Sequence, residues 1–249
     1  MAGNNNNPNK PKLRDGGRRI SGRGDDELRP MSIEVGPMVR PEGSAIVNWG
    51  RNKVLAAVYG PREVFPKHLT DPHKALINAR YIMAPFSGQE EHGRAGPNRR
   101  SIEVSKVIKH VFENNVLVHS FPKTTVDLML EVLQSDGGTR VSAINAASVA
   151  LVDAGIPIRD IVSAVSVGKA DGKMVVDLDK DEDNWGESDM PLAFSVRTGE
   201  MLLFQMDGML TLEELSTGID LGFEAAKKVR AIQTDALVRK YAIPGESAQ

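Results

Sequence analysis

Two adjacent glycines, Gly137 and Gly138, separate a strand-like segment from a run of small apolar residues in the middle of the chain. Upstream, residues 125–133 (TVDLMLEVL) alternate apolar and polar side chains as a strand does. Downstream, residues 139–151 (TRVSAINAASVAL) are small and apolar, which is typical of a helix that neighbours cover on all sides. We therefore predict a strand that ends at the glycines and a central buried helix that begins at Thr139 and Arg140.

The junction between strand and helix has the chemistry of an anion site. A helix N-terminus presents free backbone N–H groups and the positive end of the helix dipole. Thr139 adds a hydroxyl donor, and the planar guanidinium of Arg140 suits a phosphate. An ordinary glycine turn with Thr139 as a helix cap would have the same sequence, and the lysine of a nucleotide-binding P-loop is absent. Gly138, Thr139 and Arg140 are therefore candidate phosphate-binding residues.

Composition limits the classes of function open to the chain. With 249 residues, 41% of them hydrophobic, it can form one large domain or two small ones. The net charge of −2 gives no global basic field, so any nucleic-acid contact must come from a local patch. The lack of cysteine excludes disulfides and thiolate metal sites, and the five histidines form no H-E-x-x-H motif. The absence of cysteine also fits a cytoplasmic protein. No apolar run reaches membrane-spanning length, so we expect no membrane contact.

The order of predicted elements favours an α+β fold. Strands and hairpins precede a helix in each half of the chain, a pattern that argues against a parallel doubly wound sheet. We predict two subdomains, at residues 18–154 and 155–243, with a disordered tail over 1–17 and a flexible tail over 244–249. The predicted strands cover residues 31–39, 44–49, 53–59, 80–85, 125–133, 161–169, 173–176, 190–197 and 201–205.

Three connecting segments and the last helix complete this prediction. The arginine- and glycine-rich residues 13–30 should run extended over the surface as a solvated segment. Residues 60–78 should form a long loop, and the polar residues 88–97 should be mobile. The last helix should begin at Thr211, which forms a capping box with Glu214.

A second candidate site begins at Arg99 and Arg100, which open an amphipathic helix. Apolar residues recur at helical spacing from Val104 to Phe112 and define its buried face. Two arginines in a first turn are disfavoured by the helix dipole, which suggests that an anionic partner compensates for them. A solvated surface pair is the alternative interpretation.

An acidic stretch supplies a third candidate site. Residues 177–189 contain seven carboxylates and a single lysine, Lys180. A solvated acidic loop is one interpretation. Alternatively, Asp183 and Asp189 bind Mg²⁺ through their oxygens, or one of them holds a proton and acts as a general acid. A phosphate loop, a carboxylate pair and an arginine pair together are the components of phosphoryl transfer.

Five motifs together resemble the RNase PH family over residues 18–241, nearly the whole chain. They are QSDGGTR (134–140), DEDNWGESDMP (181–191), PNRRSIE (97–103), YGPRE (59–63) and VGKADG (167–172). The family usually has Ala at the position of Ser135. The sequences of residues 183–191 and of the loop at 60–68 are more similar to catalytic subunits of archaeal exosomes than to bacterial RNase PH. The resemblance implies the RNase PH fold, which is like that of ribosomal protein S5 domain 2.

The resemblance also implies an activity and residue roles. The activity is 3′→5′ phosphorolysis of RNA, in which inorganic phosphate releases nucleoside 5′-diphosphates, and its reverse, the tailing of RNA from nucleoside diphosphates. Carried over by position, Asp183 and Asp189 serve as acid or base and as Mg²⁺ ligands, while Gly138, Thr139 and Arg140 bind phosphate. The partner is the 3′ end of single-stranded RNA: Arg99 and Arg100 hold RNA phosphates, and Lys67 matches the family's contact to RNA at the neck of the ring.

For assembly, the resemblance implies a hexameric ring. Three copies of this subunit would alternate with three of an inactive homologous subunit, and RNA-binding cap subunits would lie on one face. Two alternatives remain open from the sequence: a bacterial-type homohexamer that trims tRNA 3′ ends, and a catalytically silent RNA-binding ring subunit.

Overall fold

The structure, a computed structural model, describes residues 11–88 and 97–242. Its helices are α1 (Arg99–Asn115), α2 (Thr139–Asp153), α3 (Lys180–Trp185) and α4 (Leu212–Tyr241). Its strands are β1 (Arg14–Asp15), β2 (Arg18–Arg19), β3 (Met31–Val35), β4 (Gly43–Trp49), β5 (Asn52–Glu63), β6 (Leu76–Met83), β7 (Thr124–Gln134), β8 (Val162–Ala170), β9 (Lys173–Val176), β10 (Ser188–Ser195), β11 (Glu200–Phe204) and β12 (Asp207–Gly208). Mixed sheets with a few packed helices confirm the predicted α+β class.

Two five-stranded sheets hold β3 to β12, one in each half of the chain, and β1 and β2 pair only with each other. The first has the order β3-β4-β5-β7-β6, and all its neighbours are antiparallel except β6, which runs parallel to β7. The second is antiparallel, with the order β11-β10-β8-β9 and β12 at the start of β10. Strands β3, β4 and β5 therefore form an antiparallel meander, and β8 and β9 form a hairpin.

Helix α2 is the shared core of both sheets. It packs against β4 and β5 of the first sheet and against β8 of the second. Twelve of its residues are buried, from Thr139 to Leu151. Because both sheets cover it, this helix lacks a polar face. Its small side chains let the sheets approach closely on both sides. Helix α1 covers β6, and α4 covers β8 and β3.

Element boundaries differ from the prediction where strands run longer than their apolar pattern. Strand β5 continues to Glu63 and β6 begins at Leu76, so the loop between them is shorter than predicted. Lys67 lies in a single 3-10 turn, Lys67–Leu69, within that loop. Hydrogen bonds to β7 extend both strands past their buried residues.

The acidic stretch is not a solvated loop. The Asp179 side chain caps α3, and the Glu182 carboxylate accepts a hydrogen bond from the backbone N–H of Asp179. Together these bonds form a capping box. Carboxylates in the first turn of a helix are stabilised by its dipole, so part of the repulsion among them is offset locally.

Most of residues 13–30 are exposed, but three of their arginines are not solvated, which corrects that part of the prediction. Arg19, Arg23 and Arg29 are buried. Arg19 makes a bidentate pair with Glu182. Arg29 donates from its backbone N–H and its guanidinium to the fully buried Asp177. Buried charges require partners, and the acidic stretch supplies them from more than 140 residues along the chain.

The predicted N-terminal tail also differs over its described part, residues 11–17. Leu13 is 2% exposed and packs in a small cluster with Ala170, Val175 and Leu178. Its backbone N–H donates to Asp171 at 2.8 Å. Residues 1–10, 89–96 and 243–249 lie outside the described residues, and so do the predictions that fall on them. Among the helices at 99–115, 139–153, 180–185 and 212–241, none is long and apolar enough to cross a membrane.

Candidate active site

A polar cavity of about 730 Å³ opens where the two halves of the chain meet. Helices α1 and α2 line it from the first half, and α3, β10 and residues 205–207 line it from the second. Its lining includes Arg100, Glu103, Gly138, Thr139, Arg140, Asp183, Asn184, Asp189 and Gln205. The predicted phosphate loop and both predicted aspartates therefore meet in one cavity.

The glycine loop forms the back of this cavity. Gly137 and Gly138 both have left-handed backbone conformations, with φ of 73° and 67°. A Cβ on Gly137 would lie 2.5 Å from the carbonyl carbon of Asp179, so the loop packs directly on the residue that caps α3. The side-chain amide of Asn52 donates to the Gly137 carbonyl, and its carbonyl accepts from the Asp136 N–H at 2.6 Å. Arg29 donates to the Asp136 and Gly137 carbonyls.

This packing fixes the position of the α2 N-terminus. Gly138 is its N-cap, and the helix begins at Thr139 as predicted. The first-turn N–H groups have no acceptors within the helix, so they are available to an anion.

The hydroxyl of Thr139 lies at the centre of a small polar cluster. Tyr81, on β6, donates its hydroxyl to Thr139 Oγ1 at 2.8 Å. Arg100 Nη2 lies 3.5 Å from the same oxygen. Because Thr139 is itself buried, its hydroxyl has a defined environment rather than a free rotor in water.

Arg140 bridges the two halves of the chain across the cavity. Its Nη1 donates to Gln205 Oε1 at 2.6 Å, and its Nη2 lies 3.2 Å from Glu103 Oε1. Gln205 donates in turn to Glu103 at 3.2 Å. The Nε of Arg140 is buried with no partner within residues 11–88 and 97–242. An arginine with one unsatisfied N–H donor at a helix N-terminus is suited to bind an anionic ligand.

The two predicted aspartates have raised pKa values. Burial raises the pKa of Asp183, and the guanidinium groups of Arg100 and Arg140 oppose the shift. Burial and the nearby charge of Asp183 raise the pKa of Asp189 to about 7. Two carboxyls that repel each other in a buried site do not both ionise readily. Asp189 can therefore hold a proton near neutral pH.

This carboxyl pair fits one hard cation. No cluster of three or more potential protein ligands occurs among the described residues. Mg²⁺ is commonly held by one or two carboxylates, with water and substrate phosphates completing its octahedron. Asp183 and Asp189 match that pattern, since both face a cavity wide enough for a phosphate group.

Two predicted RNA contacts lie outside the cavity lining. Arg99 is exposed on the first turn of α1, whereas its neighbour Arg100 lines the cavity. Lys67 lies in the loop at the Thr124 end of β7, and the glycine loop follows the other end, Gln134. Strand β7 has 11 residues, so its two ends lie about 33 Å apart. The structure therefore brings Arg100 to the phosphate loop but neither Arg99 nor Lys67.

Several site residues were missed by sequence reasoning. Tyr81, Glu103 and Gln205 contact the predicted residues, yet they lie far apart in the sequence, and Tyr81 and Gln205 belong to no motif. Gln205 follows a strand, and Tyr81 lies within one, so both resemble ordinary sheet residues. Glu103 falls within the motif at 97–103, which was the only available signal.

Comparison with known proteins identifies the family. Two models of the 3′ exoribonuclease family match consecutive parts of the chain, domain 1 over residues 27–157 and domain 2 over residues 160–225. The chain belongs to the 3′ exoribonuclease (RNase PH) family. Residues from both matched domains line the cavity, so the family's two domains together form the site.

Curated relatives in this family are highly similar over nearly their whole length. The exosome complex component Rrp41 of Thermococcus kodakarensis is 52% identical over 225 residues, which are 90% of each chain. That of Archaeoglobus fulgidus is 49% identical over 243 residues, 96% of this chain and 94% of the relative.

Solved structures of the family have the same fold. The crystal structure of rice (Oryza sativa) Rrp46 superposes with a TM-score of 0.79 at 28% identity, covering 88% of this chain and 99% of that one. A chain of the Archaeoglobus fulgidus exosome with RNA bound to the active site superposes with a TM-score of 0.75 at 25% identity, covering 88% and 94%.

Proposed function

We propose that this chain is the phosphorolytic 3′→5′ exoribonuclease subunit of an exosome core. The observation that carries the proposal is the single cavity that holds the phosphate loop and the Asp183–Asp189 pair. Relatives about 50% identical to it are named exosome components, and a chain of similar fold comes from an exosome with RNA bound to the active site. The cavity also retains Arg140, so the alternative of a silent subunit has no structural support.

The reaction joins two anions, so the site must offset their repulsion. The N–H groups of the first α2 turn, Thr139 and Arg140 bind inorganic phosphate, and Arg100 holds the scissile phosphodiester beside it. An oxygen of the inorganic phosphate forms a bond to the phosphorus of the 3′-terminal phosphodiester. The bond from that phosphorus to the preceding ribose 3′-oxygen breaks. The products are a nucleoside 5′-diphosphate and an RNA one nucleotide shorter.

The leaving 3′-oxygen needs a proton, and Asp189 is placed to supply it. Its raised pKa keeps a large share of the carboxyl protonated near neutral pH. Asp183 remains the nearby negative charge that helps to hold this proton. In the reverse direction the same carboxylate accepts the proton from the attacking 3′-hydroxyl, which accounts for RNA tailing from nucleoside diphosphates.

We also propose Mg²⁺ as the cofactor, held by Asp183 and Asp189. The ion would neutralise charge on the phosphate oxygens and on the carboxyl pair. Cation binding and protonation compete at Asp189, because each neutralises the same carboxylate.

The proposed assembly is a ring of three copies of this subunit and three of an inactive homologous subunit, with RNA-binding cap subunits on one face. Exposed apolar side chains recur along residues 201–212, an arrangement suited to a protein interface. They are Met201, Phe204, Met206, Met209 and Leu212. Cytoplasmic location and the Lys67 contact to RNA remain predictions from the family resemblance.

The test is to incubate the assembled complex with 3′-labelled single-stranded RNA and Mg²⁺, with and without phosphate. Nucleoside diphosphates should form only with phosphate. Asp189→Ala in this chain should abolish them, because the chemistry would lie in this subunit. Nucleoside monophosphates that form equally well without phosphate would indicate hydrolysis and contradict the proposal.

A further inference from the structure

Tyr81 is a buried tyrosine whose hydroxyl reaches the phosphate loop from another element. It lies on β6, is 1% exposed, and donates to Thr139 Oγ1 at 2.8 Å. The proposed reaction uses Thr139 but gives Tyr81 no role. A buried hydroxyl is costly unless it is hydrogen-bonded, and here its partner is a phosphate-binding side chain.

Two donors meet at Thr139 Oγ1. A guanidinium can only donate. Arg100 Nη2 lies 3.5 Å from Thr139 Oγ1 and can only be a donor there. The Tyr81 hydroxyl gives its proton to the same oxygen at 2.8 Å. Burial raises the pKa of Tyr81, so that proton is present throughout the neutral range.

The same count determines where the Thr139 proton goes. A hydroxyl has one donor and two acceptor sites. Tyr81 and Arg100 occupy both acceptor sites of Thr139 Oγ1. The Thr139 proton must then be given to a third group, and the open side of this residue is the cavity.

We propose that Tyr81 is a positioning residue, which orients the Thr139 hydroxyl so that its proton faces the bound inorganic phosphate. The inference rests on the proposed function and adds a residue to its phosphate site. Tyr81 touches neither phosphate nor RNA, and it acts only through Thr139.

The first test is Tyr81→Phe in the assembled complex, which keeps the ring and removes the hydroxyl. A ligand contact that is equally strong in the ground and transition states changes KM and leaves kcat unaltered. The KM for phosphate should therefore rise by roughly three- to tenfold, the loss of about one hydrogen bond. The kcat at saturating phosphate and the KM for RNA should remain unchanged.

A double-mutant cycle separates positioning from a structural role. Thr139→Val removes the hydroxyl that Tyr81 orients, so adding Tyr81→Phe to it should raise the KM for phosphate no further. Tyr241→Phe is the matched control, because the Tyr241 hydroxyl on the exposed end of α4 donates to Asp153 at 2.7 Å, away from the cavity. The KM for phosphate of this variant should equal that of the wild type. An unchanged KM in Tyr81→Phe, or an equal effect of the change in the Thr139→Val background, would overturn the inference.

A binding measurement separates this inference from the proposed function. Phosphate should raise the thermal unfolding midpoint of the wild-type complex, and Tyr81→Phe should reduce that rise. A wild-type complex that neither binds phosphate nor forms diphosphates would refute the proposed function itself. A normal phosphate-dependent rise in Tyr81→Phe, alongside an active wild type, would refute only the role of Tyr81.

Discussion

Asp189 is the residue at which catalysis and stability oppose each other. Its folded-state pKa is raised from 3.8 to about 7 by burial and by Asp183. A raised carboxyl pKa means that the folded state binds the proton more tightly than the unfolded state. The resulting stabilisation is complete below pH about 4 and is lost as the pH rises to about 7.

Asp189→Asn should therefore raise the thermal unfolding midpoint at pH 8 and change it little at pH 4, because the amide never carries the charge. It should also lower turnover by roughly 10²- to 10⁴-fold, the usual contribution of a general acid. Differential scanning fluorimetry and product release measure the two effects. Asp181→Asn, on the exposed side of α3, is the control and should do neither. A lower midpoint at pH 8 would show that Asp189 is stabilised as the anion.

The two arginines that open α1 should have different roles, although they are neighbours in sequence. Arg100 lines the cavity beside Thr139, whereas Arg99 is exposed. Arg99→Ala should weaken RNA binding for all sequences and lower the salt slope by about 0.7, as the loss of one single-strand phosphate contact does. Its turnover should recover at saturating RNA.

Arg100→Ala should, by contrast, raise the KM for phosphate and lower turnover even at saturating RNA, since it also removes a donor to Thr139. Filter binding across a salt series and steady-state kinetics distinguish the two variants. Equal effects of both substitutions would contradict the separation that the structure shows.

The critical contact between elements joins the glycine loop to α3. Gly137→Ala would place a Cβ 2.5 Å from the Asp179 backbone, in addition to its left-handed φ of 73°. The alanine should therefore push α3, and Asp183 with it, away from the phosphate site. We expect lower stability together with a higher KM for phosphate.

Gly155→Ala separates the contact from the backbone strain in this prediction. Its φ is 70°, but no atom lies within 4 Å of the added Cβ. It should cost only the strain of a left-handed alanine, about 1–3 kcal/mol in chemical unfolding, and leave the KM for phosphate unaltered. If both variants showed the same kinetics, packing of the loop on α3 would not position the site.

At the scale of the molecule, assembly distinguishes an exosome subunit from a bacterial-type homohexamer. The exposed apolar side chains of residues 201–212 suit a partner interface without specifying the partner. We expect native mass spectrometry of this chain alone to show no stable homohexamer, and co-expression with the homologous subunit to give a three-plus-three ring. A stable, active homohexamer would favour the bacterial type.

Local sequence determined the central helix and its chemistry. The glycine pair and the small apolar run predicted the start of α2 at Thr139, and the capping box predicted the start of α4 after Thr211. Periodicity and capping are local interactions, so they can be read from a single stretch of chain. The sequences of the five motifs likewise indicated the family and the carboxyl pair.

Only the tertiary structure decided which distant residues are partners. The sequence alone indicated solvated charges both for the arginines at 19, 23 and 29 and for the acidic stretch. Their burial and pairing depend on contacts across more than 140 residues. The separate roles of Arg99 and Arg100 depend on which side chain of the first α1 turn points towards the cavity. Tyr81 has no polar motif, and its link to Thr139 exists only because β6 runs beside β7 and ends near the α2 N-terminus. Local patterns specify elements, whereas burial, charge pairing and hydroxyl orientation follow from how those elements pack.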